Sequence, residues 1–173
     1  MFEIRSEHIL IRSFSLSDAA AFTELIRDKM MQPDAIYDER MPTETETLEK
    51  LVTVFAAGDE FFAVCLHSGE LIGFIALART DAPRVRTLAY CIRSDMRGKG
   101  YGSESVRTAI SLAAKLDTYK LTAGTAIANT PSIRLLSSLG FKKTDERDAV
   151  FAIDENGNPI VHYAAFFEYS CAE

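Results

Sequence analysis

Three glycines at alternate positions, Gly98, Gly100 and Gly102, stand where an apolar run ending at Ile92 gives way to a helical pattern. This stretch constrains the chain more than any other. Glycine leaves backbone N–H groups uncovered and enters the left-handed region that side chains disfavour, while a helix N-terminus adds partial positive charge. Such a turn can hold a diphosphate largely by main chain, with Arg97 and Lys99 supplying charge nearby.

Two common phosphate loops do not fit. A Walker loop requires glycine where Arg93 stands and serine or threonine where Gly100 stands. A dinucleotide fingerprint requires its third glycine at position 103, which is Ser103.

The pattern around the loop predicts one α/β chain. An apolar run, Ile9-Leu10-Ile11, leads to Ser17-Asp18, a helix cap with a first-turn acid, and then to Phe22, Leu25, Ile26 and Met30 at helical spacing. Pro33 closes that helix. Thr43 with Glu46 reads as a capping box for a second helix from about Glu44 to Ala57. Phe61 to Leu66 and Leu71 to Ala78 flank His67-Ser68-Gly69-Glu70 as a hairpin, and Val85 to Ile92 is a third strand.

Beyond the loop, Val106, Ala109, Ile110, Ala113 and Leu116 trace a buried helical face, and Tyr119 to Ala126 is a strand. Pro131 and Gly140 bracket a further helix. Phe141 to Ile153 and Ile160 to Tyr169 form a closing hairpin around Asp154 to Asn158. The expected fold is a mixed, mostly antiparallel sheet with helices on both faces. Its β-α-β crossover makes Val85–Ile92 and Tyr119–Ala126 parallel neighbours.

At 173 residues the chain has the length of one domain, read here as 1–173. A net charge of −6 argues against nucleic acid, whose binders neutralise phosphates with a basic face. Cys65, Cys91 and Cys171 lack metal-ligand spacing and read as reduced structural thiols; no metal site is expected. No apolar run reaches the roughly 20 residues of a membrane span, and the start, Met1-Phe2-Glu3-Ile4-Arg5, does not resemble a leader. A cytoplasmic protein, monomeric or homodimeric and free of membrane, is the expectation.

Two segments carry a resemblance. Arg97-Gly98-Lys99-Gly100-Tyr101-Gly102 resembles the Q/R-x-x-G-x-G/A motif of the GNAT N-acetyltransferase superfamily. Asn129 to Phe141 is similar to that superfamily's N-x-x-S-x-R-x-L-x-x-L-G-F segment, and the opening from Ile9 to Ala19 resembles its Rim-type branch, which acetylates ribosomal proteins. The resemblance covers most of the chain and is strongest from Leu71 to Phe141.

The resemblance implies acetyl-CoA (coenzyme A) as cofactor and an amine as acceptor. Amides of Arg97, Gly98, Lys99, Gly100, Tyr101, Gly102 and Ser103 would bind the pyrophosphate. The strand edge at Cys91 and Ile92 would pair with pantetheine, an N–H at Ile92 polarising the acetyl carbonyl. Asn129 would bond the pantetheine arm, and Arg134 would reach a cofactor phosphate. Three functions follow: acetylation of a protein N-terminus, acetylation of a small amine (polyamine, amino acid or aminoglycoside), or a non-catalytic acyl-CoA-binding regulatory module.

Two family positions depart. Thr87-Leu88-Ala89-Tyr90 stands where relatives carry Glu-Leu-Gly-Tyr with a glutamate base, and Leu136 stands where many carry a tyrosine acid. Ser132 matches the alternative hydroxyl donor of Rim-type enzymes. Asp38, Glu39, Glu104 and His162 are replacement bases to weigh, and Tyr37 and Tyr90 could line an acceptor pocket. An α-amino group, with a pKa of about 7.7–8.0, is far more often neutral near pH 7.5 than a lysine at about 10.4. Loss of the glutamate therefore favours a weakly basic amine attacking directly in a ternary complex. Cys91 lies in an apolar strand and reads as structural, not as a nucleophile.

Overall fold

In the computed structural model, which describes residues 2–37, 41–154 and 156–171, eight strands form one sheet. In chain order the elements are β1 (Glu3–Arg5), β2 (Ile9–Ser13), α1 (Ala19–Met31), α2 (Thr45–Ala57), β3 (Phe61–Leu66), β4 (Leu71–Arg79) and β5 (Val85–Ile92). Then follow α3 (Tyr101–Lys115), β6 (Lys120–Ala126), α4 (Thr130–Ser138), β7 (Lys142–Ile153) and β8 (Pro159–Ser170). The spatial order is β1-β2-β3-β4-β5-β6-β8-β7, and only β5 and β6 run parallel.

Side-chain alternation along the strands divides the core in two. Leu88, Ile92, Val106, Leu112, Leu121 and Leu136 belong to one cluster, under α3 and α4. Phe22, Leu48, Phe55, Cys65, Phe74 and Cys91 belong to the other, under α1 and α2. Within it the Phe22 ring meets Phe14 and Phe55 edge to face, with centroids 5.4 and 5.6 Å away. Helices thus cover both faces, as the periodicity predicts.

Two helix starts differ from expectation. A 3-10 turn, Leu16–Asp18, precedes α1, so that Asp18 is the N-cap of α1 while its side chain reaches back to the Ser15 N–H at 2.8 Å. The capping box at Thr43 and Glu46 does not form. Glu44 is the N-cap of α2, and the Thr43 carbonyl is held by Arg27 Nε at 3.2 Å, which draws that residue toward α1.

Candidate active site

β5 and β6 pair over three residues only, Val85 with Lys120, Arg86 with Leu121 and Thr87 with Thr122. Past Thr87 they part. β6 keeps β8 as its partner along its whole length, while Leu88 to Ile92 stay paired with β4 and lose the neighbour on their other side. Strand alternation decides what that open edge offers. Arg93 donates its N–H to the Ile72 carbonyl at 2.8 Å, so Cys91 and Ala89 also turn theirs to β4, Leu88 turns its own to Thr122 at the end of the β6 pairing, and Tyr90 and Ile92 turn theirs to the gap. Of the two strand residues singled out from sequence, Ile92 therefore presents its N–H to the gap, whereas the Cys91 N–H is spent within the sheet.

A cavity of about 520 Å³ fills the gap. Tyr90, Cys91, Ile92, Arg97, Gly98, Gly100, Gly102, Ser103, Asn129 and Ser132 all line it, joined by Lys29 and Asp34 from the α1 side. A second cavity of about 710 Å³ lies beside it, with Tyr37, Thr87, Thr122, Arg147, Phe151 and Phe166 in its wall. Leu88, Ala89, Ala123 and Gly124 line both. The two cavities thus share a wall at the split between the parallel strands.

The glycine loop has the geometry of an anion cradle. Gly98 and Gly100 take φ of 73° and 88°, and nothing lies within 4 Å of a Cβ placed on either. Gly100 is the N-cap of α3, and the Glu104 N–H is the first to close on it, at 3.0 Å from the Gly100 carbonyl. The N–H groups of Tyr101, Gly102 and Ser103 consequently have no helical acceptor. A diphosphate fits this set: uncovered amides, a helix N-terminus and open space where side chains would intrude.

Neighbouring contacts hold the loop in place. Arg93 is clamped by Asp95 at 2.7 Å and Glu70 at 2.6 Å, bonds that raise its affinity for its proton. The Asp28 carboxylate of α1 accepts both the Ser94 N–H at 2.8 Å and the Ser94 hydroxyl at 2.6 Å. Arg97 donates to the Ile92 carbonyl at 3.1 Å and to both oxygens of Asp34 at 3.0 Å.

Other residues singled out from sequence lie elsewhere or serve other ends. Lys99 and Arg134 are exposed and do not line the cavity, and Tyr101 packs on the core. Asn129 caps α4, its Oδ1 accepting the Ser132 N–H at 3.4 Å, and its amide nitrogen keeps donors for a ligand. Glu104 binds Ser6 Oγ at 2.7 Å and the His8 N–H at 2.8 Å, outside the cavity, so it tethers α3 to the β1–β2 turn. Burial pushes its carboxyl up, but the bonds from His8 and Ser6 leave it below the ordinary range. His162 is bound to the Ile36 carbonyl at 2.7 Å and sits edge-on to Tyr37. Asp38 and Glu39 lie outside the described residues. Burial pushes the Cys65 and Cys171 thiols up, which suits inert core positions.

Sequence reasoning passed over Gly124 and underrated Tyr90. Glycine inside a strand pattern is the signal for Gly124, since it marks a close approach; an added Cβ there would lie 3.1 Å from the Phe166 ring. Tyr90 Oη lies 2.8 Å from Ser132 Oγ, a contact across 42 residues of chain.

The fold as a whole is shared with acetyltransferases of known structure. The acetyltransferase of the GNAT family from Bacillus anthracis superposes with a TM-score of 0.82 at 18% identity, over 99% of this chain and 100% of that one. Ribosomal-protein-S5-alanine acetyltransferase from Vibrio fischeri gives 0.79 at 18% identity, over 100% and 98%. Spermidine N-acetyltransferase from Vibrio cholerae, solved with CoA and spermine, gives 0.78 at 17% identity, over 94% and 95%. No protein of curated function matches the sequence. The acetyltransferase (GNAT) domain family matches residues 8–142, well over half of the chain. The chain belongs to that family: it is a GNAT acetyltransferase, with acetyl-CoA as acetyl donor.

Proposed function

We propose that this protein acetylates a single, weakly basic primary amine, with a protein N-terminal α-amine as the favoured acceptor, by direct attack in a ternary complex. One observation carries the reading: the two cavities share Leu88, Ala89, Ala123 and Gly124 as lining, so a donor in one and an acceptor in the other would lie against the same four residues. The loop from Arg97 to Ser103 binds the donor's pyrophosphate. The freed edge of β5 aligns the pantetheine arm, and the Ile92 N–H donates to the acetyl carbonyl as negative charge grows there. Bringing the thioester and amine together supplies much of the rate.

Charge in the second cavity favours a monoamine over a polyamine. Its acids are already matched, Asp145 by Arg147 and Glu168 by Lys120 at 3.0 Å. A polycation would find no unpaired carboxylate among the described residues of that wall, where the Arg147 guanidinium lies over the Phe166 ring at 3.9 Å, while Tyr37 and Phe151 offer apolar surface to a peptide. Thr87 holds Thr122 Oγ at 3.1 Å where relatives would place a base, so the amine must arrive largely neutral, as an α-amine does.

Release of CoA thiol from acetyl-CoA, measured against N-terminal peptides, spermidine and free amino acids, tests the reading. The product mass locates the acetyl group. Turnover of peptides at their α-amine is expected. Turnover confined to spermidine would overturn the choice of acceptor.

A further inference from the structure

The family position for a tyrosine acid is Leu136, buried at 1% exposure and without a hydroxyl. A different tyrosine reaches the same cavity from the opposite wall. Tyr90 lies on β5 among residues that face α4, and its Oη meets Ser132 Oγ at 2.8 Å, both residues lining the cavity. Ser132 sits in the first turn of α4, with its N–H bound to Asn129 and Pro131 just before it, so its backbone is held.

We propose that Tyr90 and Ser132 form a two-hydroxyl proton relay to the leaving thiolate, Tyr90 acting through Ser132. This rests on the transferase reading above. The C–N bond forms as the amine attacks, the C–S bond breaks, and its electron pair stays on sulfur. Ser132 Oγ–H gives its proton to that sulfur and takes one from Tyr90 Oη–H, the more acidic hydroxyl of the two. The acceptor nitrogen sheds its proton to water, and water returns one to Tyr90, which closes the balance without another co-reactant.

Turnover of Tyr90→Phe, Ser132→Ala and the double variant tests the relay. With acetyl-CoA each single change is expected to lower kcat about 10- to 100-fold, at or below the lower end of general-acid effects, with KM for acetyl-CoA nearly unchanged. The double variant should be no slower than Ser132→Ala, since both changes cut one path. With an acetyl donor that keeps the nucleotide diphosphate and pantetheine arm but ends in an aryl thiol, whose acidic thiolate leaves without a proton, variants and wild type should react alike. Unchanged kcat in Tyr90→Phe, multiplying losses in the double variant, or an equal defect with both donors would each overturn the relay while leaving the transferase reading in place. A wild type that binds acetyl-CoA but acetylates no amine would remove that reading and the relay with it.

Discussion

Arg12 grips the Asp18 carboxylate with two parallel bonds, Nη1 to Oδ2 at 2.7 Å and Nη2 to Oδ1 at 2.8 Å, and so fastens the end of β2 to the entry of α1. Burial pushes the Asp18 carboxyl up, yet the Arg12 and Ser15 bonds outweigh it and hold it below the ordinary aspartate range. A carboxyl lowered by folding stabilises fully above its unfolded value, about 3.9, and loses that contribution as pH falls through the folded value. Arg12→Ala should cost about 2–3 kcal/mol, because it strands a buried charge. Thermal melts at pH 7 would show this as a drop of roughly 5–10 °C. The gap between wild type and variant should narrow below pH 4, and an equal gap at every pH would refute the assignment.

Glu104 tethers α3 to the β1–β2 turn, outside the cavity. Glu104→Gln keeps the shape and one acceptor oxygen, so kcat should stay within about twofold while stability falls by about 1–2 kcal/mol through weakened bonds to Ser6 and His8. A kcat loss of a hundredfold in a folded variant would return Glu104 to the chemistry.

Gly100 has open space around it but a φ of 88°. Gly100→Val should therefore fold with a strain of about 1–2 kcal/mol and fill the room beside the diphosphate. Acetyl-CoA at 100 times its dissociation constant should stabilise the wild type by about 2.7 kcal/mol. A full thermal shift retained in the folded variant would contradict the cradle.

Gly124 lines both cavities, and a Cβ there would lie 3.1 Å from Phe166 and 3.5 Å from Phe151. Gly124→Val should narrow the passage and raise KM for the acceptor at least tenfold, while the acetyl-CoA thermal shift persists. Steady-state kinetics with a saturating donor would detect it. Loss of donor binding instead would place the donor, not the acceptor, across that glycine.

The glycine loop, the start and stop of α4, and the strand–helix order from β2 onward were legible because each rests on neighbours in sequence, whereas β1, three residues long and defined by its pairing with β2, was not. Alternate glycines free their own amides, and Pro131 and Gly140 act within a turn of where they stand. The pairing of Thr43 with Glu46 misled because the Glu44 carboxylate accepts the Thr43 N–H that a capping box would give to Glu46, while Arg27, from another helix, holds the Thr43 carbonyl. Glu104 and His162 invited chemical readings that their distant partners, His8 and Ile36, answer.

Sequence alone determined the class of fold, the glycine-rich loop and the absence of the usual glutamate and tyrosine from positions 87 and 136. Tertiary structure decided where β5 and β6 part, which N–H groups face that gap, and that Tyr90 meets Ser132 there. The division follows from the range of the forces. Backbone propensity and capping act over a few residues, whereas strand pairing and side-chain contacts across a sheet join residues dozens of positions apart.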